Sequence, residues 1–425
     1  MWSGRVTVSS SSVTRSPAAG ATGWLPPAAF WSRFHRRVWE RRGTVLEAPL
    51  PEPLASPEHV FDCLVDASER WRAGDRAFVP EFCVDHAQVL ADVGRYLPSP
   101  ADRSVEGWVA RVTAGLGGRT FGLVVDDYQV HDEPLWRRLC GFASGLYAFT
   151  GLPGEQAKAA LFLGNYDRTP FGLHRGRSTN FMFVLDGVKR IRAWPGAFFR
   201  GKEDLTNRLD YARHNAGSVV LEGRPGDVIY WPSPWWHIGE DAGGLSVAVS
   251  LMLFMEPRPW VDLARVLERE LASRLGGRHR GGVRAALQAA RKISRDPALE
   301  RALGAARLNH RTGFGFSAVP APAPPRILRD DAVVQGHPDA PIRWARVAGE
   351  VVCSANGHAF VVPDDPRVPI LLRRLNAGQP LRVGQVTAAS AGTVRHGGVD
   401  YAASRRQIRG LLERLLSLRG ISEQS

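Results

Sequence analysis

Apolar residues recur at two different spacings along this chain, and the change between them divides it. From Ala28 the segment AAFWSRFHRRVWERRGTVLEAPL sets Phe30, Phe34 and Val38 one helical turn apart. That predicts an amphipathic helix, followed by a strand near Thr44 to Glu47. ASPEHVFDCLVDASERW predicts a second helix, with Ser56 as its N-cap and Glu58 in its first turn. Between Ser104 and Leu152 two more helical stretches flank a strand at Arg119 to Val124. From Ala159 to Phe254 the apolar residues come instead in short runs separated by Gly, Pro, Asn and Asp, the texture of a β-barrel or sandwich.

After Phe254 the helical spacing returns. VDLARVLERELASRL and VRAALQAARKISRD carry Leu, Val and Ala on one face and arginines on the other. SAVPAPAPPR, Ser317 to Arg326, reads as a semi-rigid linker. From about Ile342 to Ile421 follow two short strands (EVVCSA and HAFVV), a helix (VPILLRRLNAG), another short element and a last helix (SRRQIRGLLERLLSLRG), an order that suggests a winged-helix unit. The expected organisation is a leader over 1–27, a barrel domain over 28–256, a helical region over 257–316 with homodimerisation as one use, a linker over 317–338 and a winged-helix-like domain over 339–421. No internal repeat is present.

Length and composition sharpen this only in part. At 425 residues the chain exceeds the size at which a single core stops growing, so several folding units are expected. The net charge is +13, but of 55 basic residues only four are lysines (Lys158, Lys189, Lys202, Lys292). With abundant Gly, Ala and Pro, that arginine bias reads as the composition of a GC-rich bacterial genome, and an acidic partner such as nucleic acid stays as the alternative. RLGGRHRGGVR, Arg274 to Arg284, reads first as a solvated helix face and second as a binding patch. Met1 to about Pro26 is rich in Ser, Ala and Gly and lacks the apolar stretch of a secretory signal; it reads as a mobile leader, with a transit peptide as the alternative. The cysteines, Cys63, Cys83, Cys140 and Cys353, form no CxxC pair, which argues against a zinc knuckle or a disulfide framework and fits a reducing cytoplasm. No run of 18 apolar residues occurs, so no membrane span is expected.

The candidate chemistry lies in two stretches of the barrel region. In FGLHRGRSTNFMFVLDGVKRIRAWP, His174 opens the segment, an apolar strand follows, Asp186-Gly187 makes a tight turn, and Lys189 sits in the returning strand. In GRPGDVIYWPSPWWHIGED, Gly226-Asp227 gives a turn, Val228 to Trp231 a buried strand, Pro232 and Pro234 end it, and His237 begins the next strand. Two histidines on strands of one small barrel can point inward across its mouth. Imidazole ligands on rigid strands suit Fe(II), whose oxygenase sites use two histidines and one carboxylate on a single face and leave positions open for substrate and oxygen. Trp231, Trp235 and Trp236 crowd the same mouth, either facing a substrate or packing the barrel.

With these residues in view, the chain resembles the JmjC-type, cupin-fold oxygenases that use Fe(II) and 2-oxoglutarate, in particular the branch that contains the ribosomal oxygenases. The resemblance implies an α+β fold: a double-stranded β-helix (cupin, jelly-roll) barrel flanked by helices, then a helical region and a C-terminal winged-helix-like domain. It implies that His174 and His237 are the first and last metal ligands and that Lys189, fifteen positions after His174, binds the far carboxylate of 2-oxoglutarate. Asn180 stands where some members place an asparagine near the metal-side carboxylate. One lysine in a low-dielectric barrel supplies roughly a few kcal/mol of charge-assisted hydrogen bonding to such a dicarboxylate.

The pattern departs from the family at His174-Arg175-Gly176, where His-x-Asp is usual. Three outcomes compete. Water or a nearby acid, Asp167 being closest in sequence, could fill the open position of an ordinary hydroxylase. Chloride could fill it, as in the Fe(II)/2-oxoglutarate halogenases that the His-x-Gly pattern resembles. Or the barrel could be an inactive binding module, with the winged helix contacting nucleic acid or peptide. Arg175 and Arg177 alternate with the site and are expected to point away from the interior. The favoured expectation is a hydroxylase consuming molecular oxygen and acting on a C–H bond of a protein, peptide or natural-product-type small molecule. Nucleic acid is not favoured as a partner, because SRRQIRGLLERLLSLRG is leucine-striped, as a packing or dimer helix is.

Overall fold

The structure is a computed structural model that describes residues 25–425 apart from 90, 201–208, 242, 276–281, 295, 348–349, 363, 390–391, 397–398, 404 and 425. The leader and much of the arginine-rich stretch Arg274 to Arg284 therefore lie outside the described residues. Two compact units divide the chain, one running through Pro153 with Ala157–Met255, the other of Gly154–Gln156 with Glu256–Ser425.

In the first unit, α1 (Ala28–Arg37) turns Trp31 and Phe34 inward, and β1 (Thr44–Leu46) follows. α2 (Pro57–Arg72) starts where Ser56 predicts, its hydroxyl accepting from the His59 N–H at 3.2 Å. Next come β2 (Pro80–Val84) and β3 (Ala87–Val89), a hairpin the sequence pattern hides. Its turn residues, Asp85 and His86, both take positive φ (42° and 69°), yet neither is the glycine that usually marks such a turn. α3 (Val105–Gly115), β4 (Phe121–Val125) and α4 (Glu133–Thr150) complete the N-terminal layer, α4 being capped by the Asp132 carboxylate.

Eight more strands follow: β5 (Gln156–Gly164), β6 (His174–Arg175), β7 (Thr179–Asp186), β8 (Lys189–Trp194), β9 (Val219–Gly223), β10 (Val228–Trp231), β11 (Trp236–Asp241) and β12 (Ser246–Phe254). One sheet has the order β1-β10-β7-β12-β5-β4-β2-β3, the other β6-β11-β8-β9; the pairs β1–β10, β10–β7, β7–β12, β5–β4, β4–β2 and β2–β3 of the first and all three pairs of the second are antiparallel. Alternation sorts their side chains. Met182, Val184, Ile229, Trp231 and Ala248 of the large sheet meet Ile191, Ala193 and Leu221 of the small one in a single apolar cluster between the sheets. On the outer face of the large sheet, Phe181, Phe183 and Tyr230 receive α1 and α4, with Phe142 at 4.9 Å from Phe183 and Phe34 at 4.9 Å from Tyr230, ring centre to ring centre. The helices approach closely because Gly145 has no side chain: a Cβ there would lie 2.1 Å from the Trp31 Nε1.

The second unit holds α5 (Pro259–Leu275), α6 (Gly282–Ile293) and α7 (Pro297–Thr312). Beyond them lie β13 (Val333–Gly336), β14 (Arg343–Val347), β15 (Glu350–Ala355), β16 (His358–Val362), α8 (Arg367–Asn376), β17 (Leu381–Arg382), α9 (Val383–Ala389), the hairpin β18 (Gly392–His396) and β19 (Val399–Ala403), α10 (Arg405–Ser417) and β20 (Ile421–Gln424). Two expectations change here. The stretch read as a linker is tied to this unit: Val333–Gly336 is the middle strand of the sheet β17-β13-β20, Leu328 is buried in the unit's core, and Ala323 exchanges hydrogen bonds with Ser417. Proline prevented regular structure but left carbonyls that Ser417, Arg419 and His358 use. The leucine stripe of the last helix is also accounted for, since Ile408, Leu411, Leu412 and Leu415 are buried in the same core. It is a packing helix of its own unit.

Among the described residues no helix is long and apolar enough to cross a membrane.

Candidate functional site

β11 pairs with β6 on one side and β8 on the other, and this places the singled-out residues. His237 lies opposite His174 in the β6 register and opposite Ala193 in the β8 register, while Lys189 lies opposite Asp241. Because side chains alternate, His174, His237, Ala193, Ile191 and Lys189 share one face of the small sheet, the face turned to the cluster between the sheets. The Gly226-Asp227 turn that precedes this segment is held by its own carboxylate, which accepts from Arg224 N at 3.0 Å and from Ala48 N at 3.1 Å.

The two imidazoles converge, with centroids 4.3 Å apart and planes at 58°. Two nitrogens bound at right angles to one ion, with metal–nitrogen bonds of about 2.1 Å, put ring centres roughly 4.5 Å apart, so the spacing is that of a ligand pair. Each ring uses its Nδ1 on a backbone carbonyl: His174 on Gly172 O at 2.9 Å and His237 on Trp235 O at 3.3 Å. An Nδ1–H donating to a carbonyl leaves the lone pair on Nε2, which is the tautomer a metal requires. Burial lowers the pKa of His174, against the opposing effect of the Gly172 carbonyl. Burial, then the neighbouring His174, hold His237 well below the ordinary imidazole range. Both rings are therefore neutral and able to ligate at physiological pH.

Gly176 lies beside this pair. A Cβ built on it would find Ser178 Oγ at 3.6 Å, Ser178 N at 3.8 Å and His237 Cε1 at 4.0 Å, all ordinary contacts. A Cβ is thus accommodated at this position, with His237 among its three nearest neighbours. Asp167 does not fill it: its carboxylate bonds His86 Nε2 at 2.6 Å and Arg168 Nε at 3.2 Å, and its side chain is 55 % exposed. Among the described residues no third His, Cys, Asp or Glu completes the His174–His237 pair. The polar groups by the gap are Ser178, whose carbonyl accepts from the Asn180 amide at 2.7 Å, and Asn180 itself, buried and opposite Trp231 in the β10 register. Arg175 stacks over Trp236 and Arg177 over Phe254, each at 5.6 Å, and both are exposed, in keeping with their alternation.

Lys189 is 3 % exposed. Its ammonium donates to the Tyr166 hydroxyl at 2.6 Å and lies 4.3 Å from that ring's centre. Tyr166 fits because Gly122 and Gly164 lack side chains, each leaving its ring space that a Cβ would invade at 2.7 and 2.9 Å. Thr169 covers the inward side of Gly239, where a Cβ would meet Thr169 Cγ2 at 2.8 Å. Its Oγ1 is buried without a hydrogen-bond partner, and so is the Trp231 Nε1, on a ring 5.0 Å from His237. Buried polar atoms normally have partners, and these two lie on the interior side of the sheets, whereas a third such atom, the Trp236 Nε1, lies on the opposite side of the small sheet. Tyr166, Thr169 and Ser178 were not legible as site residues, since no spacing in the sequence relates them to His237. Of the three tryptophans, Trp231 faces the interior, while Trp236 packs with Trp194 and Phe199 on the opposite side of the small sheet.

No protein-family model matches the chain, and no curated protein matches it in sequence. Among solved structures it is similar to "X-Ray structure of E. coli ycfD", at 15 % identity and a TM-score of 0.48, covering 93 % of this chain and 98 % of that one. It is similar also to YcfD described as a ribosomal oxygenase from Escherichia coli in complex with cobalt and 2-oxoglutarate (15 % identity, TM-score 0.47), and in complex with cobalt and succinic acid (14 %, 0.47), with the same coverage. Identity and overlap at this level carry no conclusion about chemistry, which rests on the geometry of the histidine pair and its lysine.

Proposed function

We propose that the chain is an Fe(II)- and 2-oxoglutarate-dependent oxygenase that hydroxylates a C–H bond of a protein, peptide or natural-product-type substrate. The observation that carries this reading is the convergence of His174 and His237 at 4.3 Å on the same interior face as the buried ammonium of Lys189. The strand order, with β5, β7, β10 and β12 in one sheet and β6, β8, β9 and β11 in the other, supports a double-stranded β-helix for the barrel, and the order helix, strand, helix, hairpin, helix supports a winged-helix-like C-terminal unit. The similar structures described with cobalt and 2-oxoglutarate agree with this assignment without carrying it.

The residues fit the group they would hold. His174 and His237 would offer their Nε2 atoms to Fe(II), and Lys189, helped by the Tyr166 and Thr169 hydroxyls, would hold the carboxylate of 2-oxoglutarate remote from the metal. When bound, the metal and co-substrate supply the activation of oxygen that oxidises the substrate C–H bond, with 2-oxoglutarate ending as succinate and carbon dioxide. What the chain itself contributes is orientation and exclusion of water. The Gly172 and Trp235 carbonyls fix both ring tautomers; Lys189 and Tyr166 set the direction of the dicarboxylate; Met182, Ile191, Ile229 and Trp231 keep the interior dry.

A second reading rests on Gly176. With room for an added Cβ and, among the described residues, no third His, Cys, Asp or Glu completing the pair, a metal held by the two histidines would have space beside Gly176 for a small anion, so chloride and a halogenation outcome form the alternative. Succinate formation by the full-length protein, measured with and without chloride and with the H174A and H237A variants, tests both readings. Iron-dependent succinate that disappears in both variants supports the oxygenase. No turnover and no Fe(II) binding by the wild type would leave the barrel a binding module. Transfer of chlorine to product would favour the second reading over the first.

A further inference from the structure

A second cluster of ligand-type side chains lies in the helical layer, away from the barrel pair. His59 and Cys63 are one helical turn apart on α2, so they share a face. Asp132, from the cap of α4, meets them there: His59 Nε2 is 3.0 Å from both carboxylate oxygens, and Cys63 Sγ is 3.6 Å from the same nitrogen. Taken one atom per residue, the three donors lie within 4.8 Å of one another. We infer that His59, Cys63 and Asp132 form a metal site for Zn(II), or another divalent ion of similar softness, distinct from the histidine pair of the barrel.

The distances support this. Tetrahedral zinc with bonds of about 2.3 Å to sulfur and about 2.0 Å to nitrogen and oxygen holds its ligand atoms roughly 3.3–3.6 Å apart. The two separations from His59 Nε2, 3.0 Å to the carboxylate and 3.6 Å to the thiol, lie within a few tenths of an ångström of these values, and the third pair of donors lies within 4.8 Å. The orientation supports it as well. His59 Nε2 faces both carboxylate oxygens at 3.0 Å, and the thiol lies on the third side of that nitrogen at 3.6 Å, so the three donor groups are turned toward one another. Asp132 is held in place by its other duty, Oδ1 accepting from Leu135 N at 2.9 Å, which leaves Oδ2 for the ion.

The site is reachable. The His59 side chain is 41 % exposed while that of Asp132 is fully buried, so the ion has an entry path on one side and a fixed anchor on the other. Three protein donors leave the fourth tetrahedral position to water. The ion would staple α2 to the first turn of α4, the helix whose Phe142 packs against Phe181 and Phe183 on the barrel sheet.

Cobalt(II) tests the inference, because a thiolate ligand gives an intense near-ultraviolet charge-transfer band that two imidazoles cannot give. Chelator-stripped full-length protein is titrated with Co(II), alongside the C63S, H59N and H174A/H237A variants. The expected result is the band in the wild type and in H174A/H237A, its loss in C63S and H59N, and its displacement by Zn(II). The C63S variant should also take up one equivalent less Co(II) than the wild type, and Zn(II) should raise the Tm of H174A/H237A but not of the same double variant carrying C63S as well. No thiolate band in the wild type, or a band that survives in either C63S or H59N, overturns the assignment.

Discussion

His174 and His237 are direct cross-strand partners, on β6 and β11, with their rings 4.3 Å apart although 63 positions of sequence separate them. The backbone ladder fixes their spacing, so the convergence does not depend on a metal to draw them together. A site preset by strand register loses little entropy when an ion binds.

Lys189 is expected to act on the co-substrate and not on the fold. K189M keeps the volume and removes a buried charge, so its Tm should equal or exceed that of the wild type. Loss of a charge-assisted hydrogen bond costs about 1.5–3 kcal/mol, hence roughly a tenfold to hundredfold weaker affinity for 2-oxoglutarate by calorimetry. Y166F, which removes the hydroxyl that the ammonium bonds at 2.6 Å, should weaken it by only about fivefold. Unchanged affinity in K189M would remove this lysine from the site.

Gly176 can be given the carboxylate it lacks. The nearest atom to a Cβ there is Ser178 Oγ at 3.6 Å, and the backbone does not occupy the left-handed region, so G176D should fold with a Tm near that of the wild type. It should bind Co(II) at the barrel pair about tenfold or more tightly, by completing a facial triad, and any dependence of turnover on chloride should vanish. A weaker metal affinity in G176D would mean that the gap does not face the metal position.

Asp102 links stability to acid pH. Burial alone would raise its pKa, but the Arg111 guanidinium, the Ser99 N–H and the Ser99 hydroxyl outweigh burial and hold the carboxyl below its ordinary value. A carboxylate with a lowered folded pKa stabilises the fold fully above its unfolded pKa, about 3.9, and that contribution is lost as pH falls through the folded value. D102N should therefore cost about 2 kcal/mol near neutrality, and the gap between its Tm and that of the wild type should narrow progressively as the pH is taken below the unfolded carboxyl's value of about 3.9. A Tm gap that does not shrink as the pH falls below that value would contradict the assignment.

Gly145 is expected to be intolerant of the smallest addition. In a helix, Gly to Ala gains up to about 1 kcal/mol of propensity, but here the new methyl would sit 2.1 Å from the Trp31 Nε1. Overpacking costs about 1–3 kcal/mol, so G145A should lower the Tm, whereas G115A, with nothing within 4 Å of its Cβ, should raise it slightly.

How much the sequence carried depended on whether the signal was local. The α1 helix, the Ser56 cap, the β15 and β16 strands, and the apolar strand β7 with its returning strand β8 follow from patterns that neighbouring residues carry, and all are present. The β2–β3 hairpin escaped because Asp85 and His86 take a conformation that composition does not announce. The Pro-rich stretch was misread as a spacer, since its hydrogen bonds go to Ser417, Arg419 and His358, 38 to 98 positions away.

The sequence by itself determined which strands could carry His174, His237 and Lys189, and on which side of their strands these residues fall, because a period of two admits only two faces. Only the tertiary structure decided what stands around them: that Asp167 is spent on His86, that the Tyr166 hydroxyl accepts from Lys189, that Thr169 lies against Gly239, that a Cβ on Gly176 would sit 4.0 Å from His237, and that Asp132 closes on His59 and Cys63. Such relations join residues on different strands and helices. They depend on sheet register and helix packing, which no short window of sequence contains.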